Sequence, residues 1–522
     1  PTPLVGAELD LAWWTSVLEQ VLAGVPALAG MDGPALNALA QRFRELDAAQ
    51  VASLSGPVRR AVADAVRAAV DAHHEEAARL SDALDADQGG HLRETLAAHP
   101  AVAGAVRPVR LVAPILVPQL LVPEPDVDLL VLDGVQNLPV AQALAALARA
   151  HQVVLVGDSR RGGDGVVAAL GPLLPAITLP TGRGERAEGI AAFLSRHGYS
   201  DVIRSVPAPS GESRMRLELV EGYGMPAPGA DMVESVQQEV DRVVRLVLTH
   251  ARSRPAESLA VVALGARHAQ RVREAVVAAA ADDPAAAAFF APDRPEPFTV
   301  VEVDAASGLR RDTIVLTVGY GKTPHGRVLH HFGPVSGPDG VACLVDALDA
   351  VRHQLVVVSC IGPGDIDRDR LRDSGPLLLA DLIDAAADGG TPTEQDAGAT
   401  EAPDRLLADL ADRLRRRGLT VAPRYGAPGG VRVPLAVGHP DAPGELVVAV
   451  LTDDADYVAE PSLRRRDRHW VQRLADRGWV VHMAFSTAVF MDPDGEATEI
   501  AHKVRAGLAG RGADHSQKER TR

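Results

Sequence analysis

Lysine is nearly missing from this chain. Lys322, Lys503 and Lys518 are the only three, so arginine supplies almost all of the 53 basic side chains. With the abundant alanine, glycine and proline, this is the composition of a GC-rich genome, not a demand of the fold. Cysteine is scarce as well. Cys343 and Cys360 offer neither a disulfide framework nor metal-thiolate spacing and fit a reducing compartment, so a cytoplasmic location is expected. Aromatic residues make up 3%, which leaves alanine, valine and leucine to build the cores. No apolar run reaches the length of a bilayer span, and the N-terminus lacks a basic-then-apolar leader pattern, so no membrane association is expected. The net charge of −16 excludes a generally basic nucleic-acid coat. Phosphate would have to be met by local arginine patches. The chain begins with Pro1, which leaves open a fragment or a trimmed product.

The length gives room for roughly two to four domains. Residues 1–105 read as a helical segment. Leu11, Trp14, Leu18, Val21 and Leu22 fall at helical spacing, and Val58, Val62, Val66 and Val70 form a packing stripe. From about 107, short apolar strands alternate with helices. RLVAPILV, LLVLD and VVLVGD come first. A second block has helices over Val240–Ala251, Ala266–Ala280 and near Leu344–Val351, with strands at Leu259–Leu264, Phe298–Val303, Thr313–Val318 and Gln354–Ser359. Two such blocks predict two doubly wound parallel-sheet units, 106–205 and 206–387. Residues 388–403 are a polar Gly/Pro/Thr linker. Residues 404–510 return to an α/β order, and 511–522 read as a disordered tail.

Two segments carry the chemistry. LLVLDGVQNLP (Leu129–Pro139) and VVLVGDSRR (Val153–Arg161) are apolar strands that each end in an acidic turn, with the helix-like AQALAALARA between them. This arrangement resembles the ATPase core of superfamily 1 helicases, in particular large bacterial helicases with a nuclease-like C-terminal domain. The resemblance spans 107–385. FTVVEVDAASGLRRDTIVLTVGYG resembles the family's strand, Q-G-x-E-R-D loop, strand and turn, and LVDALDAVR resembles its L-N-V-A-V-T-R-A-R segment. It implies two RecA-like units, with ATP and Mg²⁺ as cofactors.

Residue by residue the match is incomplete. Asp133 matches the metal-holding Asp, but Gly134 replaces the Glu that would activate water. Gly157 and Asp158 match the phosphate-sensing loop, and Arg161 takes the place of its Gln. The H-Y-R-S-R segment is reduced to TGRGER, leaving Arg183 or Arg186 as remnants. Gly308, Arg311 and Asp312 match the Q-G-x-E-R-D loop, while Ser307 replaces its Gln and Arg310 its ribose-contacting Glu. Ala350 stands at the arginine-finger position, and Arg352 survives. The phosphate loop G-x-x-x-x-G-K-[ST] is absent. Gly321-Lys322-Thr323 is the only GKT, and its required first glycine is Leu316. An arginine finger contributes roughly 10³–10⁵ in rate and a general base about 10²–10⁴. A chain without either, and without the phosphate loop, is not expected to turn over ATP.

Residues 404–500 resemble the PD-(D/E)XK endonuclease-like domain of the very-short-patch-repair type. That chemistry needs two carboxylates on neighbouring strands to hold the metal that activates water. In VRVPLAV the Asp position is Pro434, and in VVAVLTDDADY the Glu position is Leu451 and a following His position is Val458. Asp453, with Asp454 and Asp456, is a weak metal candidate; the alternative is a solvated acidic turn. Arg464, Arg465, Arg466 and Arg468, beside His469 and Trp470, are candidates for nucleic-acid phosphate, with a solvated charged face as the equal alternative. Arg413 and Arg415–Arg417 divide the same way, since late arginines also complement a helix dipole.

Two classes of function remain. The first is a helicase-lineage protein that is catalytically impaired in this chain and keeps nucleic-acid binding, DNA above RNA, or binding of a protein partner. The second is the C-terminal part of an active ATP-dependent helicase/nuclease whose phosphate loop lies upstream of Pro1. A P-loop kinase or small-molecule enzyme fails for want of the phosphate loop.

Overall fold

The structure, a computed structural model, describes residues 3–25, 32–85, 92–136, 138–161, 165–179, 186–200, 202–209, 214–226, 232–390, 404–427 and 430–520. The chain forms two compact units. One comprises Pro1–Ala52, Val206–Gly211 and Gln395–Arg522, the other Ser53–Ser205 and Glu212–Glu394. The N-terminal helical segment, expected as one piece, therefore divides between the units, and the two α/β blocks, expected apart, share one.

Helices open the chain: α1 (Pro3–Gly24), α2 (Gly33–Ser53), α3 (Ser55–Ala72), α4 (His74–Asp85), α5 (Leu92–Ala98) and α6 (Pro100–Val106). The apolar spacing in α1 produces a helix but not a packed face, because Leu11, Trp14 and Val21 remain exposed. Of the α3 stripe, Val62 and Val66 are half-buried and Val58 and Val70 are exposed.

RLVAPILV is not a strand. Pro114 opens a helical turn and Pro118 lies in the one-turn α7 (Val117–Leu120). Proline lacks the amide proton a central strand must donate. The first sheet is β1 (Val127–Asp133) and β2 (Ala150–Val156), paired in parallel with Asp133 opposite Val156 and joined through α8 (Val140–Leu147). Leu132, Val135, Ala143, Ala146 and Val166 form a small core on one face, with Val166 supplied by α9 (Val166–Leu170). On the other, Leu129, Val131, Val154 and Val156 are exposed. After α10 (Glu188–Leu194) comes β3 (Met215–Leu219), which the sequence reading did not foresee.

The second sheet is complete. Strands β3, β4 (Leu259–Ala263), β5 (Thr299–Glu302), β6 (Arg311–Thr317) and β7 (Val351–Ser359) run parallel in the order β3-β7-β6-β4-β5. Helices α11 (Gln237–Ser253) and α12 (Ala266–Ala281) cover one face; α13 (Gly340–Asp349) and α14 (Ser374–Ala387) cover the other. A sheet covered on both sides needs strands apolar at every position. LAVVA in β4 meets that and is buried throughout. Each large side chain so buried contributes about 1.5–3 kcal/mol.

The C-terminal unit follows the order helix, three-strand meander, helix, strand. It runs α15 (Arg405–Arg416), β8 (Thr420–Tyr425), β9 (Val433–Gly438), β10 (Leu446–Leu451), α16 (Ala455–Ala459), α17 (Trp470–Asp476), β11 (Val480–Met483), α18 (Ser486–Met491) and α19 (Pro493–Arg520). Strand order is β11-β10-β9-β8; β8, β9 and β10 are antiparallel, and β11 is parallel to β10. Leu410, Leu414, Leu435, Val437, Val448, Ile500 and Val504 pack one face; Val206, Ala436, Ala449, Leu474 and Trp479 pack the other. The tail expected from 511 continues α19 to Arg520, because Gln517, Lys518, Glu519 and Arg520 favour helix and no proline interrupts them. The linker beyond Gly390, 391–403, lies outside the described residues.

Candidate functional site

In the larger unit, β1 and β2 end in the two acidic turns. Asp133 is exposed, and its side chain makes no hydrogen bond or ion pair among the described residues. Gly134 sits at φ +67°, and its amide donates to Val156 O at 2.9 Å. The position of the missing base thus has a left-handed backbone, which a glutamate would adopt only with strain. Gly157 packs against Val167 and Gln136. Gln136, with its amide oriented by its partners, donates to Gly134 O at 3.3 Å and accepts from Arg161 Nη1 at 3.2 Å.

Arg161 is the centre of this region. Its Nε reaches Asp158 Oδ2 at 3.2 Å, its Nη1 pairs with Asp346, and its Nη2 lies 3.9 Å from Asp349 Oδ2. Arg186 also pairs with Asp349, and Arg310 Nη2 reaches Asp349 Oδ2 at 2.6 Å. Tyr199 donates to Asp158 Oδ2 at 2.6 Å; burial, then that carboxylate, push the phenol's pKa far up and keep it a donor. Side-chain exposure is 10% for Arg161, 8% for Arg186 and 4% for Asp346. The carboxyl ends of β1 and β2 therefore meet the amino end of β7 across a network of arginines and aspartates. The guanidinium groups of Arg161 and Arg310, which by the resemblance stand where the family has Gln and Glu, are met by carboxylates of the same chain. Asp346 and Asp349 were missed in the sequence. They stand at the Val and Thr positions of L-N-V-A-V-T-R-A-R, and the signal was compensation: two new acids beside two new arginines.

The other matched positions do not join this network. Ala350 ends α13 fully buried in the core, and its carbonyl accepts from Arg311 N at 3.0 Å. Arg352 binds Glu296 and, at 3.2 Å, Asp312 Oδ1. Burial alone would raise the Asp312 pKa, but Ser258, Arg352 and His353 hold it below the usual carboxylate range. Arg311 donates to the carbonyls of Arg310 and Pro297. These three residues tie the amino ends of β6 and β7 to the 296–297 loop. Gly308 takes φ +78° in the turn before β6. Arg183 lies outside the described residues. Lys322 pairs with Asp365 at 2.5 Å, so Gly321-Lys322-Thr323 serves no phosphate cradle. Among the described residues the set does not fit ATP with Mg²⁺: Gly134 offers no base, and Arg161, Arg186, Arg310 and Arg352 are each engaged by carboxylates of the chain.

At the carboxyl end of β6 lies a buried polar chain that sequence reading did not find. His268 Nδ1 meets Ser235 Oγ at 3.0 Å and Nε2 meets Thr317 Oγ1 at 2.8 Å; Thr317 and Gly319 N donate to Glu239 Oε1 at 2.7 and 2.8 Å. Burial pushes His268 down to about 4 and Glu239 up to about 7. Both shifts oppose ionisation, so the 3.9 Å approach of His268 to Glu239 is a neutral contact, not an ion pair.

In the C-terminal unit, Val450 pairs with Leu435, which brings Leu451 and Pro434 together one step along the ladder. The two positions that would carry metal-binding carboxylates are thus neighbours, and both are apolar. Leu451, like Tyr425 and Val481, packs against the cluster that includes Ala436, Ala449 and Trp479. Asp453 is a helix cap: Oδ1 accepts from Ser486 N and Oδ2 from Ser486 Oγ, each at 2.7 Å. Asp454 accepts from Tyr457 N at the start of α16. Among the described residues no three His, Cys, Asp or Glu side chains converge to hold a metal, and this donor set does not fit the nuclease metal.

The candidate nucleic-acid arginines lie on a π-helical segment, Arg464–His469, leading into α17. Each has a carboxylate partner. Arg464 and Arg468 share Asp47 of α2, Arg465 pairs with Glu460 at 3.0 Å, and Arg466 with Asp467 at 3.2 Å while stacking 4.5 Å over Tyr457. Arg413 and Arg417 both bind Asp494, and Arg415 binds Asp412.

Residues 407–504 match the restriction-endonuclease-like family model REase_MTES_1575. Among solved structures, the C-terminal domain of a possible DNA helicase from Lactobacillus plantarum WCFS1 matches at 11% identity, over 38% of this chain and 96% of that one, with a TM-score of 0.20. The comparison with curated proteins returns no match. No helix among the described residues is long and apolar enough to cross a membrane. The C-terminal segment is endonuclease-like; what the chain does has to be argued from its own geometry.

Proposed function

We propose that this chain is a helicase- and nuclease-derived protein that associates with nucleic acid, DNA in the first instance, and turns over neither ATP nor phosphodiesters. The observation that carries it is the self-satisfied arginine network. Guanidinium groups at positions which, by resemblance, would face nucleotide are neutralised by Asp346 and Asp349 of the same chain. Phosphoryl transfer depends on free positive charge placed around the phosphate, and here that charge is spent internally. The apolar pair Pro434 and Leu451 supports the same reading for the nuclease-like unit. The test is ATP hydrolysis by the purified chain with and without single-stranded DNA. The expected rate is background in both; DNA-stimulated hydrolysis would overturn the reading.

One observation favours a second reading, in which this chain completes an active helicase with a segment upstream of Pro1. Leu129, Val131, Val154 and Val156 are 40–53% exposed on one face of a two-stranded parallel sheet, and parallel strands are normally covered on both faces. An upstream-extended chain that hydrolyses ATP while this one does not would favour it.

A further inference from the structure

Asp47 is an acid in an unusual place. It lies on α2, four hundred residues from its partners in sequence, and is 6% exposed. Arg464 Nε donates to its Oδ1 at 2.8 Å, and Arg468 donates to Oδ2. One carboxylate therefore holds two guanidinium groups from successive turns of one helix, the arrangement in which arginines bind a phosphate.

More arginines lie close by. Arg465 and Arg466 flank the pair, and Arg473 follows on α17, half-buried and without an ion-pair partner among the described residues. Burial, then Arg473, Arg468 and Arg464, hold His469 below its ordinary pKa. In a chain of net charge −16 these arginines are concentrated on one helical stretch, with Glu460 and Asp467 paired to two of them.

The docking of α2 is polar. Asn37 donates to Met483 O at 3.2 Å, and Arg44 to Asp467 O at 3.1 Å. No α2 residue belongs to the buried clusters on either face of this sheet. Leu36, Ala40 and Phe43 are only half-buried, and Leu39, Leu46 and Val51 are exposed. A helix held by ion pairs, a few hydrogen bonds and partly buried apolar side chains is released by competing charge more readily than one built into a core.

Resting on the nucleic-acid reading above, we propose that Arg464 and Arg468 form a binding site for a nucleic-acid phosphodiester, and that Asp47 of α2 occupies that site as an internal competitor. Backbone phosphate displaces the Asp47 carboxylate, and α2 leaves the surface of α17 when nucleic acid binds.

The experiment is equilibrium binding of a labelled DNA duplex, and separately of its single strand, to the full chain across a range of salt. Asp47→Ala is expected to tighten binding by roughly tenfold or more across the salt range, since the arginines no longer have to shed a carboxylate before meeting phosphate. Asp47→Asn, which keeps the side-chain shape, tests the same point should the alanine variant fold poorly. Adding Arg464→Ala and Arg468→Ala is expected to abolish the gain. Hydrogen exchange in residues 33–53 of the parent chain is expected to rise on adding the preferred strand form. Equal affinity for parent and Asp47 variants, with binding present, would overturn the competition alone. No binding by any variant would overturn both it and the nucleic-acid reading. The arm showing the larger gain identifies duplex or single strand as the source of the phosphate.

Discussion

At the scale of single residues, neutrality and charge are set by burial. Glu239 titrates near 7 in the fold against 4.5 in the unfolded chain. Its contribution to stability is full below about 4.5 and is lost as the pH rises to about 7, in total of the order of 3 kcal/mol. Glu239→Gln keeps the acceptor for Thr317 and Gly319. Its melting temperature relative to the parent is expected to climb across that window and then level off; a constant difference would show that Glu239 is ionised in the fold. The Arg161 network behaves oppositely, because its charges are paired. Arg161→Ala removes the cation from Asp346, which is 4% exposed, and is expected to cost about 3–5 kcal/mol in thermal or denaturant unfolding. The double variant with Asp346→Ala should cost clearly less than the sum of the two single changes. Simple additivity would mean the two side chains are not coupled.

At the scale of elements, the acidic turn after β10 is a capping device. Asp453 satisfies the amide and hydroxyl of Ser486 at the first turn of α18. Asp453→Ala is expected to lower stability by about 0.5–2 kcal/mol, the range for loss of a helix cap, and to leave the melting temperature equally insensitive to added Mg²⁺ in parent and variant. A Mg²⁺-dependent rise seen only in the parent would restore the metal reading. The helices and strands of the five-stranded sheet were legible because their periodicities are strong. Val240, Val243, Val247 and Ala251 recur on one face of α11, and β4 is apolar throughout. RLVAPILV misled because its apolar content outweighed Pro114 within it and Pro108 and Pro118 beside it. MRLEL was passed over because Arg216 and Glu218 alternate with its apolar residues, although it pairs with β7 along its length.

At the scale of the whole chain, the charges at two places, the Arg161 network and the arginine helix, are met by the protein's own side chains. ATP turnover at background is the expected outcome for the first. For the arginine helix, tighter nucleic-acid binding on loss of Asp47 is expected. Arg161 and Asp47 belong to different compact units.

The sequence by itself determined the parallel α/β build, the endonuclease-like C-terminal order and the positions where, by the resemblance, other residues stand in for the family's. These are local properties: strand periodicity, and the identity of residues such as Gly134, Ala350, Pro434 and Leu451. Only the tertiary structure decided what became of the charges left behind. Arg161 meets Asp346 and Arg464 meets Asp47 across long stretches of chain, and no spacing rule couples residues so far apart. For Arg161, 10% exposed, burial makes a carboxylate the favourable partner, since an unpaired charge removed from water is costly.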